Sequence, residues 1–240
     1  MSRSIIAVLG LVVVACGTSS SPVIDPGDGG NYSVDLDPGG VVTVIDNPLL
    51  PFAVGSRWVY ESVAASEVER IEVVVLGGTR VVMGIPATVV RDTVTIDGEL
   101  VEDTYDWYAQ DDAGNVWYLG EETKEYVEGE VVSTAGSWEA GVDGALPGIL
   151  MKADPEVGDA YRQEFYSGEA EDLAEVARVR VSEAVPFGSY DDLTVIKEWS
   201  PLLASVVEEK YYAAGVGLIL EVAVEGGDER IELISYQPGG

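Results

Sequence analysis

The side chains of this sequence that could do chemistry are mainly carboxyls. Trp138-Glu139, with Asp143 close behind and Glu164, Glu169, Glu171 and Asp172 further on, sets an indole near several acids. Glycoside hydrolysis needs two carboxyls about 5–9.5 Å apart, and an indole beside them would stack a sugar ring. A chain with 43 acidic residues offers such pairs by composition alone, so a Trp138 that fills the core while the acids stay solvated is the plainer expectation. Arg162 is one of two cations between residues 125 and 177 and has Glu164 at same-face spacing. Two roles suit it: an ion pair with surrounding acids that fixes a loop to a sheet, or an anchor for a ligand carboxylate or phosphate. The segment from Ala109 to Asn115 gathers Asp111, Asp112 and Asn115, oxygen donors of the kind calcium takes. Asp, Gly and Asn are also what a tight hairpin turn uses for its own geometry. Calcium is therefore the one cofactor that the residues suggest, and only there.

What is missing excludes more than what is present suggests. The sequence has no histidine, which removes Ser-His-Asp and Cys-His nucleophile systems and His-ligated zinc, copper and haem. Ser-Lys chemistry lacks its S-x-x-K spacing. A single cysteine, Cys16, leaves no partner for an internal disulfide. The formal charge of −30 repels phosphate backbones, so nucleic acid is not an expected partner. It also keeps an acidic coat solvated, while 47% hydrophobic residues mark a globular chain.

The elements that must hold these residues are strands. Short runs of period-two alternation recur at hairpin spacing: 57–63, 70–76, 80–83, 88–96, 100–109, 115–119, 123–127 and 131–134, then 178–185, 193–199, 206–212, 218–224 and 230–236. Turn pairs lie between several of them, among them Gly77-Gly78, Asp97-Gly98 and Gly226-Gly227. The fold class is all-β: an antiparallel meander forming a curved sheet, half-barrel or barrel, because so large a sheet must curl to cover its apolar face. Alternation puts Tyr105 and Trp107 on one face and Thr104, Asp106 and Tyr108 on the other, an apolar face against an acidic one. The pattern breaks from Gly136 to Val176. Residues 136–158 read as a long Gly-rich loop laid over the concave face, with Trp138 packed beneath it beside Arg162. A strand over 161–166 and one short helix over 167–177, with acids in its first turn, complete the expectation.

The amino terminus supplies an address. Arg3 precedes an apolar run, Ile5 to Val14, of signal-peptide length and too short to span a bilayer. The run ends at Val13-Val14-Ala15-Cys16, which resembles the bacterial lipobox. That resemblance implies cleavage before Cys16 and diacylglycerol on its thiol, whose two acyl chains make a stable membrane anchor. Residues 1–15 are then a lipoprotein signal peptide, 16–46 a lipidated cysteine with a flexible Gly/Ser/Pro/Asp tether, and 47–240 a single β-rich domain. The location implied is the cell envelope, facing away from the cytoplasm. In a Gram-negative cell Gly17, which is not Asp, would permit sorting to the outer membrane.

The blocks GSWEAGVDGA and YRQEFYSGEAED, with NPLLPFAVGSRWVY and KYYAAGVGLILE on either side, look like those of an uncharacterised family of secreted bacterial β-rich proteins. The resemblance implies secretion and a β fold and brings no catalytic role with it. The residues favour a lipid-anchored, non-catalytic envelope domain that binds an apolar or protein ligand, with Trp138, Glu139, Asp143, Arg162 and Glu164 as candidate ligand-binding residues. A carbohydrate-active enzyme or lectin built on paired carboxylates and Trp138 is the second reading, and a structural envelope protein the third.

Overall fold

Val, Ile, Thr and aromatic residues alternating with charged ones leave the backbone only one way to bury a continuous apolar surface, which is to pair into sheet. The protein does so in a computed structural model that describes residues 32–34, 36–42, 44–62 and 67–240. Cys16 and the expected signal peptide over residues 1–15 lie outside these residues. The strands are β1 (Val41–Val42), β2 (Arg57–Ser62), β3 (Glu69–Val82), β4 (Ile85–Ile96), β5 (Glu99–Asp111) and β6 (Val116–Val127). Shorter pieces follow, β7 (Glu130–Ser133), β8 (Trp138–Glu139), β9 (Leu146–Met151), β10 (Ala160–Arg162) and β11 (Glu164–Phe165). The chain ends on β12 (Leu173–Val185), β13 (Gly188–Trp199), β14 (Val207–Ala213), β15 (Gly217–Glu225) and β16 (Arg230–Gln237).

All sixteen form one antiparallel sheet, in the order β10-β12-β13-β14-β15-β16-β2-β3-β4-β5-β6-β9-β11. β1 pairs with β5, and β7 and β8 pair with β6. The two ends of the path, β10 and β11, are separated in the chain by Gln163 alone, so the sheet curls into a nearly closed barrel joined at that residue. Gln163 is buried, and its side chain donates to Glu198 at 2.8 Å across the joint. Gly148 on β9 packs against it so closely that a Cβ there would lie 2.3 Å from the Gln163 carbonyl carbon; only glycine fits.

Several hairpins follow the sequence closely. Asp97-Gly98 turns with both φ values positive, 51° and 86°, as a two-residue type I′ turn requires, and Met83-Gly84 and Glu128-Gly129 do the same. Gly77-Gly78 does not turn. Neither residue has positive φ, and β3 runs through them with a bulge between Val75 and Thr79 before reversing at Met83-Gly84. The runs 115–119 and 123–127 are one strand, β6, kinked at Gly120.

The expected helix over 167–177 is absent. Residues after Tyr166 turn through Gly168, and β12 begins at Leu173, where pairing with β13 buries Leu173, Ala174 and Val176. A short helix must overcome a costly nucleus, and here the neighbouring strand supplies backbone partners from the first residue. Among the described residues the helical turns are two 3₁₀ segments, Pro38–Gly40 and Pro201–Leu203. The Gly-rich segment is likewise less irregular than expected, since β8 and β9 both pair with β6. Of the stretch read as a tether, Leu36 and Ile45 are buried in the core, and Tyr32 donates its hydroxyl to the Pro147 carbonyl at 2.9 Å.

Candidate functional site

Curling the sheet produces an interior, and its contents are set by the phase of each strand. A cavity of about 220 Å³ lies among Phe52 and Leu50 before β2, Trp58 and Tyr60 on β2, Val90 and Asp92 on β4, and Asp106 and Tyr108 on β5. Leu150, Lys210, Leu218, Glu221 and Ile231 contribute from β9, β14, β15 and β16. Its aromatic wall is continuous: Phe52 meets Trp58 edge-on at 5.8 Å and Tyr108 at 5.3 Å, and Tyr108 stacks on Tyr118 at 4.9 Å. The Trp58 indole N–H donates to the Val216 carbonyl at 2.6 Å, which fixes the ring's orientation.

One side of this interior is acidic. Lys210 Nζ sits 2.7 Å from Glu198 and 3.6 Å from Glu221. Burial works against its charge, but Glu198, Glu221 and Glu208 outweigh that effect and raise its pKa well above the ordinary lysine value. Asp92 has no such cation in contact. Its Oδ1 is buried without a hydrogen-bond partner among the described residues, and burial, helped by the charges of Glu102 and Glu221, pushes its carboxyl up to about 7.

A carboxyl pair lies on β5 and β6. The Tyr118 hydroxyl is 2.7 Å from Asp106 Oδ1 and 2.8 Å from Glu121 Oε2. A hydroxyl carries one proton, so two full hydrogen bonds here are made only when one of the carboxyls is protonated and donates to it. Burial is the main reason that Asp106 is pushed up to about 7 and Glu121 to about 8. Trp138 meets Tyr118 edge-on at 5.3 Å, and its backbone reaches β6 because Gly120, at φ 130°, leaves room that a Cβ would fill 2.3 Å from the Trp138 carbonyl oxygen. Glu164 belongs to the same region. Burial and the charges of Asp172 and Glu121 raise its pKa, while the Trp138 indole N–H opposes the rise weakly from outside ordinary hydrogen-bond geometry.

The residues singled out in the sequence are thus only partly assembled. Trp138 and Glu164 come together, but around Tyr118, Asp106 and Glu121. Trp138 is 4% exposed, so its ring faces the core and offers no surface for a sugar. Glu139 lies outside, paired with Arg80 at 2.6 Å, and Asp143 is an exposed turn residue at φ 49°. Arg162 is 2% exposed, yet its guanidinium makes no ion pair with any described residue. The acids expected to enclose it have other partners or stand apart. Asp111 accepts from the Asn115 backbone N–H at 2.8 Å, the Asn115 side chain at 2.9 Å and the Trp117 indole at 2.8 Å. Asn115 Oδ1 accepts from Ala153 N–H at 3.0 Å, and Asp112 is exposed. The oxygens of that turn therefore hold the turn together. Among the described residues no group of three or more His, Cys, Asp or Glu side chains is arranged to hold a metal.

The supposed separation of an apolar face from an acidic one also fails. Thr104, Asp106 and Tyr108 face inward, while Trp107 is shielded on the other side by the Arg80 guanidinium, 3.8 Å from its ring centre. Asp92, Glu121, Lys210 and Glu221, and the inward side of Asp106, are for that reason not legible as site residues in the sequence. Their signal was phase: Asp92 alternates in step with Val90 and Val94, so whatever buries the valines buries the carboxyl.

No family model matches the sequence, and no curated protein matches it. Two solved structures are similar in shape. One is a protein of Bacteroides fragilis NCTC 9343, described as exported and of YmcC-like fold, at 11% identity and a TM-score of 0.40 over 77% of this chain and 96% of that one. The other, described as a lipoprotein of Parabacteroides distasonis ATCC 8503, gives 12% identity and a TM-score of 0.35 over 78% of this chain and 97% of its own.

Proposed function

We propose that this chain is a lipid-anchored extracytoplasmic binding protein whose barrel interior takes an amphipathic ligand, apolar along its body and cationic or hydrogen-bond-donating at one end. The cavity carries the reading. Phe52, Trp58, Tyr108, Leu150 and Ile231 offer an apolar wall, and Asp92 presents a buried carboxyl oxygen that has no hydrogen-bond partner among the described residues. Binding without catalysis is favoured because the paired carboxyls Asp106 and Glu121 are engaged with Tyr118 inside the sheet. The anchor rests on Val13-Val14-Ala15-Cys16.

Cys16→Ser removes the thiolate nucleophile that lipid modification requires, so labelled palmitate fed to cells should mark the wild type alone. Label on both forms, or on neither, rejects the anchor. The ligand class is tested by calorimetry with n-octylamine and n-octanol at pH 8, where Asp92 is ionised. Octylamine should bind the more tightly, Asp92→Asn should weaken it roughly tenfold or more, and affinity should fall between pH 8 and pH 6 as the carboxyl takes up its proton. Equal binding of amine and alcohol, untouched by Asp92→Asn, rejects the polar end of the site; no binding of either rejects the cavity.

A further inference from the structure

On the other side of β9 lies a second, smaller cavity, about 90 Å³, bounded by Tyr32, Ser33, Val34, Trp117, Ile149, Tyr161 and Arg162. It shares no lining residue with the central cavity. Arg162 is almost fully buried here, and Nε, Nη1 and Nη2 all lack a hydrogen-bond partner among the described residues. So does the neighbouring Tyr161 hydroxyl. Buried guanidinium groups are ordinarily matched by carboxylate or phosphate, because a charge taken out of water without a counter-charge is strongly unfavourable.

Among the described residues no acid is paired with this one. Glu198 and Asp159 are the acids that act on Tyr161, and they are paired with Lys210 at 2.7 Å and Lys152 at 2.6 Å. Phe165 and Tyr32 hold the guanidinium by their ring faces, at 4.9 and 5.6 Å from the ring centres, which positions it while leaving its N–H donors unused. Of the remaining walls Val34, Trp117 and Ile149 are apolar and Ser33, an exposed residue, lies at the edge; the Trp117 indole N–H is already bound to Asp111. A planar fork of donors, the unpartnered Tyr161 hydroxyl and a mainly apolar surround match one chemistry well.

We propose that the Arg162 cavity binds the carboxylate of a small organic acid with an aromatic or aliphatic stem, Arg162 taking the carboxylate through its guanidinium edge, Tyr161 donating a further hydrogen bond, and Trp117 and Ile149 packing on the stem. This site is independent of the central cavity and stands or falls separately from it.

The test uses the purified full-length protein and two probes, phenylacetate and inorganic phosphate, by calorimetry and thermal unfolding. Phenylacetate should bind one to one and raise the unfolding midpoint. Arg162→Met should weaken it more than about 100-fold and Tyr161→Phe about three- to tenfold, as expected for charged and neutral hydrogen bonds. Arg162→Met removes an uncompensated buried charge, so it should melt no earlier than the wild type, which makes its loss of binding interpretable; Tyr161→Phe gives a second, conservative check. The proposal is overturned if neither probe binds, if binding survives Arg162→Met, or if phosphate alone binds. It is also overturned if the wild type binds nothing and replacing both Asp25 and Asp28 by Asn creates phenylacetate binding, since the chain's own acids would then be the anion.

Discussion

Trp138→Ala should lower the free energy of unfolding by about 3–5 kcal/mol, the range for emptying a large aromatic site in a packed core. The ring is 4% exposed and rests edge-on against Tyr118. β8 is two residues long and pairs only at Gly120 and Glu121, so the backbone there contributes little to holding the segment without the side chain. The neighbours cannot collapse cheaply into the gap, because Tyr118 is itself tied to Asp106 and Glu121. Trp138→Phe should cost less, about 1–2 kcal/mol, since it keeps part of the volume and removes an indole N–H that makes no hydrogen bond of ordinary geometry among the described residues. Urea melts followed by circular dichroism decide the matter, and an unchanged midpoint for Trp138→Ala would contradict the buried position.

The second large effect is one of pH, and its direction is opposite to ordinary acid denaturation. Burial holds Asp92 and Asp106 near 7, and Glu121 near 8, far above their values in an unfolded chain. In the pH range between the two values the folded state binds more protons than the unfolded one, so stability falls as pH rises. The contribution is complete below about pH 4 and is lost progressively up to about pH 8. A single carboxyl raised by roughly three units accounts for about 4 kcal/mol across that window, although neighbours that repel one another will not simply add. Carboxyls shifted the other way, such as Glu72 beside Arg57 and Glu209 beside Arg178, lie in exposed or half-exposed pairs worth about 0–1 kcal/mol each and lose their contribution only as pH falls below the usual carboxylate range. Urea midpoints should therefore be higher at pH 5 than at pH 9. Glu121→Gln keeps a hydrogen-bonding group for Tyr118 but cannot ionise, so it should flatten the profile and be more stable than the wild type at pH 9. A midpoint that rises from pH 5 to pH 9 would show that these carboxyls ionise freely in the folded protein.

The sequence made some parts of this protein legible because their causes are local. Asp97-Gly98 turns where it does because Asp and Gly adopt two adjacent positive φ values at little cost, and alternation over 88–96 or 230–236 follows from the two-residue repeat of a strand. Gly77-Gly78 misled for the complementary reason, since a glycine pair also permits a bulge, and only the pairing of β3 with β4 chooses between them. Residues 167–177 misled because acids followed by Leu, Ala and Val satisfy a weak helical propensity, which the partner strand β13 overrides.

By itself, then, the amino-acid sequence determined the all-β class, the meander and most of its turns, and it carried the lipobox-like run that ends at Cys16, because each of these is encoded in contiguous residues. Only the tertiary structure decided that the sheet closes at Gln163, that Asp106 and Glu121 share the Tyr118 hydroxyl, that Asp92 looks into an aromatic cavity, and that Arg162 is buried without an ion-pair partner among the described residues. These facts depend on which strands become neighbours and which face turns inward. A carboxyl on a strand reads the same in sequence whether it meets water or the inside of a barrel; curvature alone assigns it to one or the other.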